Sequence, residues 1–318
     1  MINDRKTESC LTAEDSLREI YKGCRLCPRY CGADRTQNYG RCGSGALPRV
    51  AAASLHKWEE PCISGKTGAG TVFFSGCSLG CVFCQNREIS INGKGEEISI
   101  DRLAEIINKL ESVGAETIDL VTPTHFTPSV LQSLALASPS VPVVWNSGGY
   151  ELAENIPSIA ERADVYLPDI KYCSSELAFE MCNAPDYFEK ALSALVCAVE
   201  RFGECSFDQR GIIRRGVIVR HLVLPGNRAD SIKVLETIAK EIDVSLIRLS
   251  LMSQFTPMHP EYLPERMRRT VTSFEYGSVL NRADELGFRG WSQGRASAKE
   301  RYLPNFDLTV LGEKIVKG

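Results

Sequence analysis

TVFFSGCSLGCVFCQN, residues 71–86, joins a short β-branched and aromatic run to three closely spaced cysteines. Residues 71–76 suit a buried strand. Directly after them, Cys77, Cys81 and Cys84 stand in CxxxCxxC spacing. Three thiolates are one fewer than a closed site requires. A [4Fe–4S] cube held by them keeps one iron open to another ligand, the mark of a catalytic rather than a structural centre. Gly76 and Gly80 permit the tight bends of such a loop. The competing readings are a zinc knuckle or buried free cysteines. One cysteine would mean little, but three on the loop after a strand favour the cluster.

Downstream of this loop, strand-like and helix-like runs alternate. Leu103, Ile106, Ile107, Leu110 and Val113 form a helical stripe that Gly114 closes. Five further strands are expected at 117–122, 141–146, 165–170, 216–224 and 244–252. Two more helical stripes run from Phe188 to Phe202 and from Ile232 to Ile242. Strands alternating with helices predict an α/β fold, a partial (β/α)6 TIM-like barrel or a doubly wound sheet. In either, chemistry collects at the C-terminal ends of the strands. The expected organisation is a Cys-rich amino-terminal segment (1–66), a core barrel (67–257) and a carboxy-terminal helical extension (258–318). The extension carries a stripe of Val271, Phe274, Val279, Leu280, Ala283 and Leu286. Arg289, Arg295 and Arg301 near Trp291 read as a solvated face.

Composition sets the class. The chain has 318 residues, 43% hydrophobic and 24% charged, with a formal net charge of −3. No basic stripe is present, so nucleic acid is not an expected partner. The polar start lacks an apolar signal-like run, and no stretch is long enough to span a membrane, so a cytoplasmic protein is expected. The thirteen cysteines are clustered and odd in number, which points to metal or redox chemistry rather than a disulfide framework.

CSLGCVFC, with Phe83 before the last cysteine, resembles the cluster motif of the radical S-adenosylmethionine (SAM) superfamily. The resemblance implies a [4Fe–4S] cluster whose open iron binds SAM, reductive cleavage to a 5′-deoxyadenosyl radical, and hydrogen abstraction. YLPDIKY (166–172) is similar to the Asp-x-Lys motif of glycyl-radical activating enzymes such as pyruvate formate-lyase activating enzyme. By that likeness Asp169 and Lys171 contact the cofactor; the plainer reading is a strand-end ion pair. Arg220 in RHLVLPG matches an arginine of the same group. The Gly-Gly-Glu-like stretch common after the second strand is replaced by TPTHFTP (122–128), where Thr122, Thr124 and His125 offer hydroxyl and imidazole groups instead. Asn146 stands where the activating enzymes have an aspartate, and Gln254 near a cofactor-contacting histidine. The likeness also implies a reductant such as flavodoxin or ferredoxin and a glycyl-radical enzyme as partner.

Cys24, Cys27, Cys31 and Cys42 form a second set, CxxCxxxC with a fourth cysteine further on. Four thiolates suit structural zinc or an auxiliary Fe–S centre, and the residues alone leave that choice open. Six basic residues lie between 21 and 49 against the single acid Asp34, and offset the charge of such a site. Cys10, Cys62, Cys173, Cys182, Cys197 and Cys205 show no ligand spacing. The competing functions are a radical enzyme acting on a small molecule or peptide, a two-centre electron-transfer protein, and a zinc-binding interaction module. The β/α series and the Asp169–Lys171 pair argue against the electron carrier, and an open three-cysteine site is a poor fit to the zinc module.

Overall fold

The structure is a computed structural model and describes residues 13–292 and 306–315. β1 (Arg49–His56), β2 (Ala69–Phe74), β3 (Ile118–Val121), β4 (Val143–Ser147), β5 (Val165–Pro168), β6 (Ile213–Leu222), β7 (Arg248–Met252) and β8 (Gly290–Ser292) lie side by side in chain order. From β2 to β8 every neighbouring pair is parallel; β1 runs antiparallel to β2. The sheet does not close on itself, so the α/β fold is an open partial barrel. All six expected strands are present. The sheet is wider than those six, because β1, β8 and the two-residue strands Thr309–Val310 and Glu313–Lys314 join it from outside residues 67–257. Cys10, Arg295 and Arg301 lie outside the described residues.

Each crossover carries a helix with a legible reason to form. α1 (Ala13–Tyr21) precedes β1, and α2 (Ile100–Ser112) links β2 to β3. Ser99 caps α2 by accepting from the Arg102 N–H, and Leu103, Ile106, Ile107 and Leu110 are wholly buried on one face. Each such side chain contributes on the order of 2 kcal/mol by burial. α3 (Thr127–Ala137) follows β3, α4 (Ser175–Cys182) and α5 (Tyr187–Phe202) follow β5, and α6 (Arg228–Glu241) follows β6. α7 (Ser273–Glu285) starts with a capping box between Thr272 and Glu275 and links β7 to β8.

Strand alternation separates two faces. Val72, Leu120, Trp145, Tyr166, Val217, Val219 and Leu249 face the helices in one large apolar core. Val144, Val165, Leu167 and Ile218 face the concave side, where Cys62 and Ile63 of the short helix Pro61–Ser64 pack between them. Cys62 is therefore a packing residue, its thiol pushed well up by burial and by Glu60. The same segment delivers Glu59 and Glu60 to the concave face.

Candidate active site and metal centre

β2 ends at Phe74, and the chain turns through Ser75 and Gly76 into the cysteine loop. Gly76 has φ +85°, and a Cβ there would lie 2.3 Å from Ser44 Oγ and 2.5 Å from the Cys42 carbonyl oxygen. Only glycine lets the amino-terminal segment press this closely against the loop. The Leu79 N–H reaches Cys77 Sγ at 3.4 Å, the Asn86 N–H bonds the Cys84 sulfur, and Ser90 Oγ lies 3.3 Å from Cys84 Sγ. Tyr172 Oη sits 3.6 Å from Cys81 Sγ and donates to Cys182 Sγ at 3.1 Å. Burial pushes the Cys77 thiol up to about 11, and Cys84 is raised for the same reason. A metal-free thiolate here is costly; a bound cationic cluster removes that cost. No three His, Cys, Asp or Glu side chains among the described residues are placed to share a single ion. A cube, in which each thiolate takes its own iron, does not require such convergence.

The Asp-x-Lys pair lies directly beside these thiols. Lys171 Nζ donates to Asp169 Oδ2 at 2.6 Å. Burial works against the Lys171 charge, but Asp169 and the neighbouring Cys81 and Cys84 sulfurs outweigh it, so the ammonium is held above its ordinary range. Tyr187 Oη anchors the segment by donating to the Asp169 carbonyl at 2.6 Å and accepting from the Lys171 N–H at 3.1 Å. Phe83 packs edge-on to Tyr172, with ring centroids 6.5 Å apart, and tilted against Phe255 at 6.1 Å. Gln254 joins this wall through its carbonyl, which accepts from Gln85 Nε2 at 3.2 Å.

Other expected residues turn out to have partners within the protein. Thr122 adopts φ +62°, and its N–H bonds the Asn146 carbonyl at 2.8 Å. Thr124 Oγ1 donates to Glu151 Oε2 at 2.8 Å. His125 is buried and neutral, its pKa lowered to about 3 by burial and by Arg35. With Nε2 protonated it donates to the Ser75 carbonyl at 2.9 Å, which braces the cysteine loop from behind. Arg220 pairs with Glu59 and Glu60 and approaches Asn146 Oδ1 at 3.5 Å; Asn146 Nδ2 in turn lies 3.4 Å from Asp119 Oδ2. The concave face thus holds an ionic network, and a backbone β-bridge, with the Ile170 N–H donating to the Arg220 carbonyl at 2.8 Å, sets Arg220 beside Asp169.

Several of these residues carried no signal in the sequence. Tyr172 could have been noticed as the last residue of YLPDIKY, but Cys182, Glu59, Glu60 and Asp119 reach the site only through the tertiary fold. Glu151 is a third kind of case. It accepts from Thr124, from Ser147 Oγ at 3.1 Å and from Trp145 Nε1 at 3.3 Å, yet burial still raises its pKa to about 7. A carboxyl raised in the folded state binds a proton that the unfolded chain has released, so stability falls as pH rises from about 4.5 to 7. Glu151→Gln should flatten that slope, and melting temperatures measured across this range check it.

Comparison with known proteins agrees with the geometry. Residues 71–237 match the family model described as the radical SAM superfamily, and the chain belongs to that superfamily. The superfamily uses a [4Fe–4S] cluster and SAM. An uncharacterized protein of Methanocaldococcus jannaschii is 27% identical over 279 residues, 84% of this chain and 76% of that one. A radical SAM methyltransferase from Sphaerobacter thermophilus shares the fold with TM-score 0.50 and 14% identity, over 71% of this chain and 66% of its own. A domain of pyruvate-formate lyase-activating enzyme from Bacteroides vulgatus aligns with TM-score 0.33 and 15% identity, over 61% of this chain and 91% of its own. No helix among the described residues is long and apolar enough to cross a membrane.

Proposed function

We propose that the chain cleaves SAM reductively at a cluster held by Cys77, Cys81 and Cys84, and removes hydrogen from a glycine of a partner polypeptide, as glycyl-radical activating enzymes do. The observation that carries this reading is the half-buried Lys171–Asp169 pair set against the Cys81 and Cys84 sulfurs. It occupies the strand end where the activating enzymes, by the likeness of YLPDIKY, use the same pair on the cofactor. When bound, the cluster with SAM supplies a 5′-deoxyadenosyl radical. The chain's own residues prepare the site. Lys171 offsets the charge of the thiolates, and its salt bridge with Asp169 presents a carboxylate and an ammonium in fixed geometry. Phe83, Tyr172 and Phe255 keep water from the sulfurs, which favours a clean one-electron step.

Lys171→Ala should keep the iron content and weaken SAM binding about tenfold, equivalent to about 1.4 kcal/mol. Equilibrium binding to the reconstituted protein measures it, and unchanged affinity would give Lys171 a structural role alone. The substrate reading is tested by mixing the reduced enzyme and SAM with a glycyl-radical enzyme of the same organism. A glycyl-radical EPR signal, with one 5′-deoxyadenosine per radical, is expected. Cleavage of SAM without that signal would transfer the reading to a small molecule or peptide.

A further inference from the structure

We propose that Cys24, Cys27, Cys31 and Cys42 hold a second iron–sulfur cluster, docked against the back of the catalytic cysteine loop. The local backbone builds a cup around four free cysteines. The Gly23 and Cys24 N–H groups both donate to the Ala33 carbonyl, at 3.1 and 2.9 Å, and the Gly32 N–H donates to the Cys24 carbonyl at 3.1 Å. A second small loop, closed by the Gly40 N–H on the Ser44 carbonyl at 3.0 Å, carries Cys42 into the same neighbourhood. There Cys42 senses the charges of Cys24 and Cys31, and Cys27 those of Cys42 and Cys24.

Three of the sulfurs accept a backbone N–H from the residue two positions on: Arg29 to Cys27, Ala33 to Cys31 and Ser44 to Cys42. Gly32 (φ +65°) and Gly43 (φ +75°) turn the backbone so that two of these donors point at sulfur. Cys31 accepts a further N–H from Arg41. A neutral thiol is a poor acceptor, so a set of aimed donors is built for thiolates. The same two-residue device serves Cys77, through Leu79, and Cys84, through Asn86.

Arg35 supplies an independent observation. It is 2% exposed, and donates to the carbonyls of Ser44 at 3.1 Å, Gly45 at 2.6 Å and His125 at 2.6 Å, with Nη1 lying 3.6 Å from Cys24 Sγ. No carboxylate is among those partners. A buried guanidinium without a carboxylate needs another anion, and four cluster-bound thiolates provide one.

The placement of these side chains speaks against a single zinc ion. Four thiolates on one zinc, each at about 2.3 Å, must converge within about 4 Å of one another. Among the described residues no three such side chains are placed to hold one ion. A cluster distributes its thiolates over several irons and does not require that convergence. The two centres are joined through the chain, since the Cys77 N–H donates to the Cys42 carbonyl at 3.1 Å.

The test uses the full chain carrying Cys77→Ala, Cys81→Ala and Cys84→Ala, purified without oxygen, with iron, sulfide and zinc counted per chain. About two or four irons with matching sulfide are expected, and adding Cys31→Ser, at an exposed position, should remove them. About one zinc per chain, or no metal in a chain with native circular dichroism, would overturn the assignment. If the triple variant does not fold, the wild-type count decides: about six to eight irons supports two clusters, and about four with one zinc contradicts them. Iron retained in the triple variant supports this site even if the catalytic reading fails.

Discussion

Cys81→Ala should lose about four irons per chain and bring 5′-deoxyadenosine formation down to background. Cys81 is the middle ligand of the proposed trio, and its sulfur lies between the Tyr172 hydroxyl and Cys182. Alanine supplies no ligand there, and two thiolates do not hold a cube whose fourth iron must stay open. The fold should survive, because the lost atom is one buried sulfur on a loop rather than part of a helix face. Cys182 makes the experiment sharper. Its sulfur is a hydrogen-bonding neighbour of the Cys81 sulfur, close enough to stand in as a ligand. The double variant Cys81→Ala with Cys182→Ala closes that route. Iron counting and a cleavage assay on both variants check the prediction, and cleavage retained in the double variant would contradict the assignment of Cys81.

Arg220→Ala should destabilise the chain by about 3–5 kcal/mol. Its guanidinium is buried on the concave face against Glu59 and Glu60, and its removal strands two carboxylates away from water. Burial alone pushes the Glu60 carboxyl up, but the Arg220 charge and hydrogen bonds outweigh it and leave the group below its ordinary value. A depressed carboxyl contributes stability above its unfolded value near 4.5, which is lost as pH falls through the lower folded value. In the variant the largest influence opposing burial is gone, the carboxyl is raised, and acidification from pH 7 towards 5 should stabilise the protein. Chemical denaturation at both values checks the sign. Adding Glu59→Gln and Glu60→Gln should recover much of the loss, whereas a pure cofactor contact would show no such recovery.

The pattern of what the sequence revealed follows from the range of the interactions. The six central strands are short, apolar and β-branched, and period alone locates them. RVAAASLH (49–56) escaped because three consecutive alanines have little strand propensity and lie amid loop-forming residues; pairing with β2 makes it a strand. GWS (290–292) is three residues long, too short for any period to show, and exists through its parallel pairing with β7. TPSVLQSLALA (127–137) is a helix whose serines blur the apolar stripe. At the site, the cysteine spacing and Asp169–Lys171 were readable because both are local. The partners of Arg220 and Cys81, and the His125 carbonyl on Arg35, come from distant segments, so no local pattern announces them.

The central claim is SAM cleavage at this site, and the most direct measurement is 5′-deoxyadenosine formed by the wild-type chain, reconstituted without oxygen, reduced with dithionite and given SAM. Steady formation of 5′-deoxyadenosine and methionine in equal amounts, absent without reductant, is the predicted result. A chain that carries its iron and binds SAM, yet forms none with or without candidate substrates, would contradict the account.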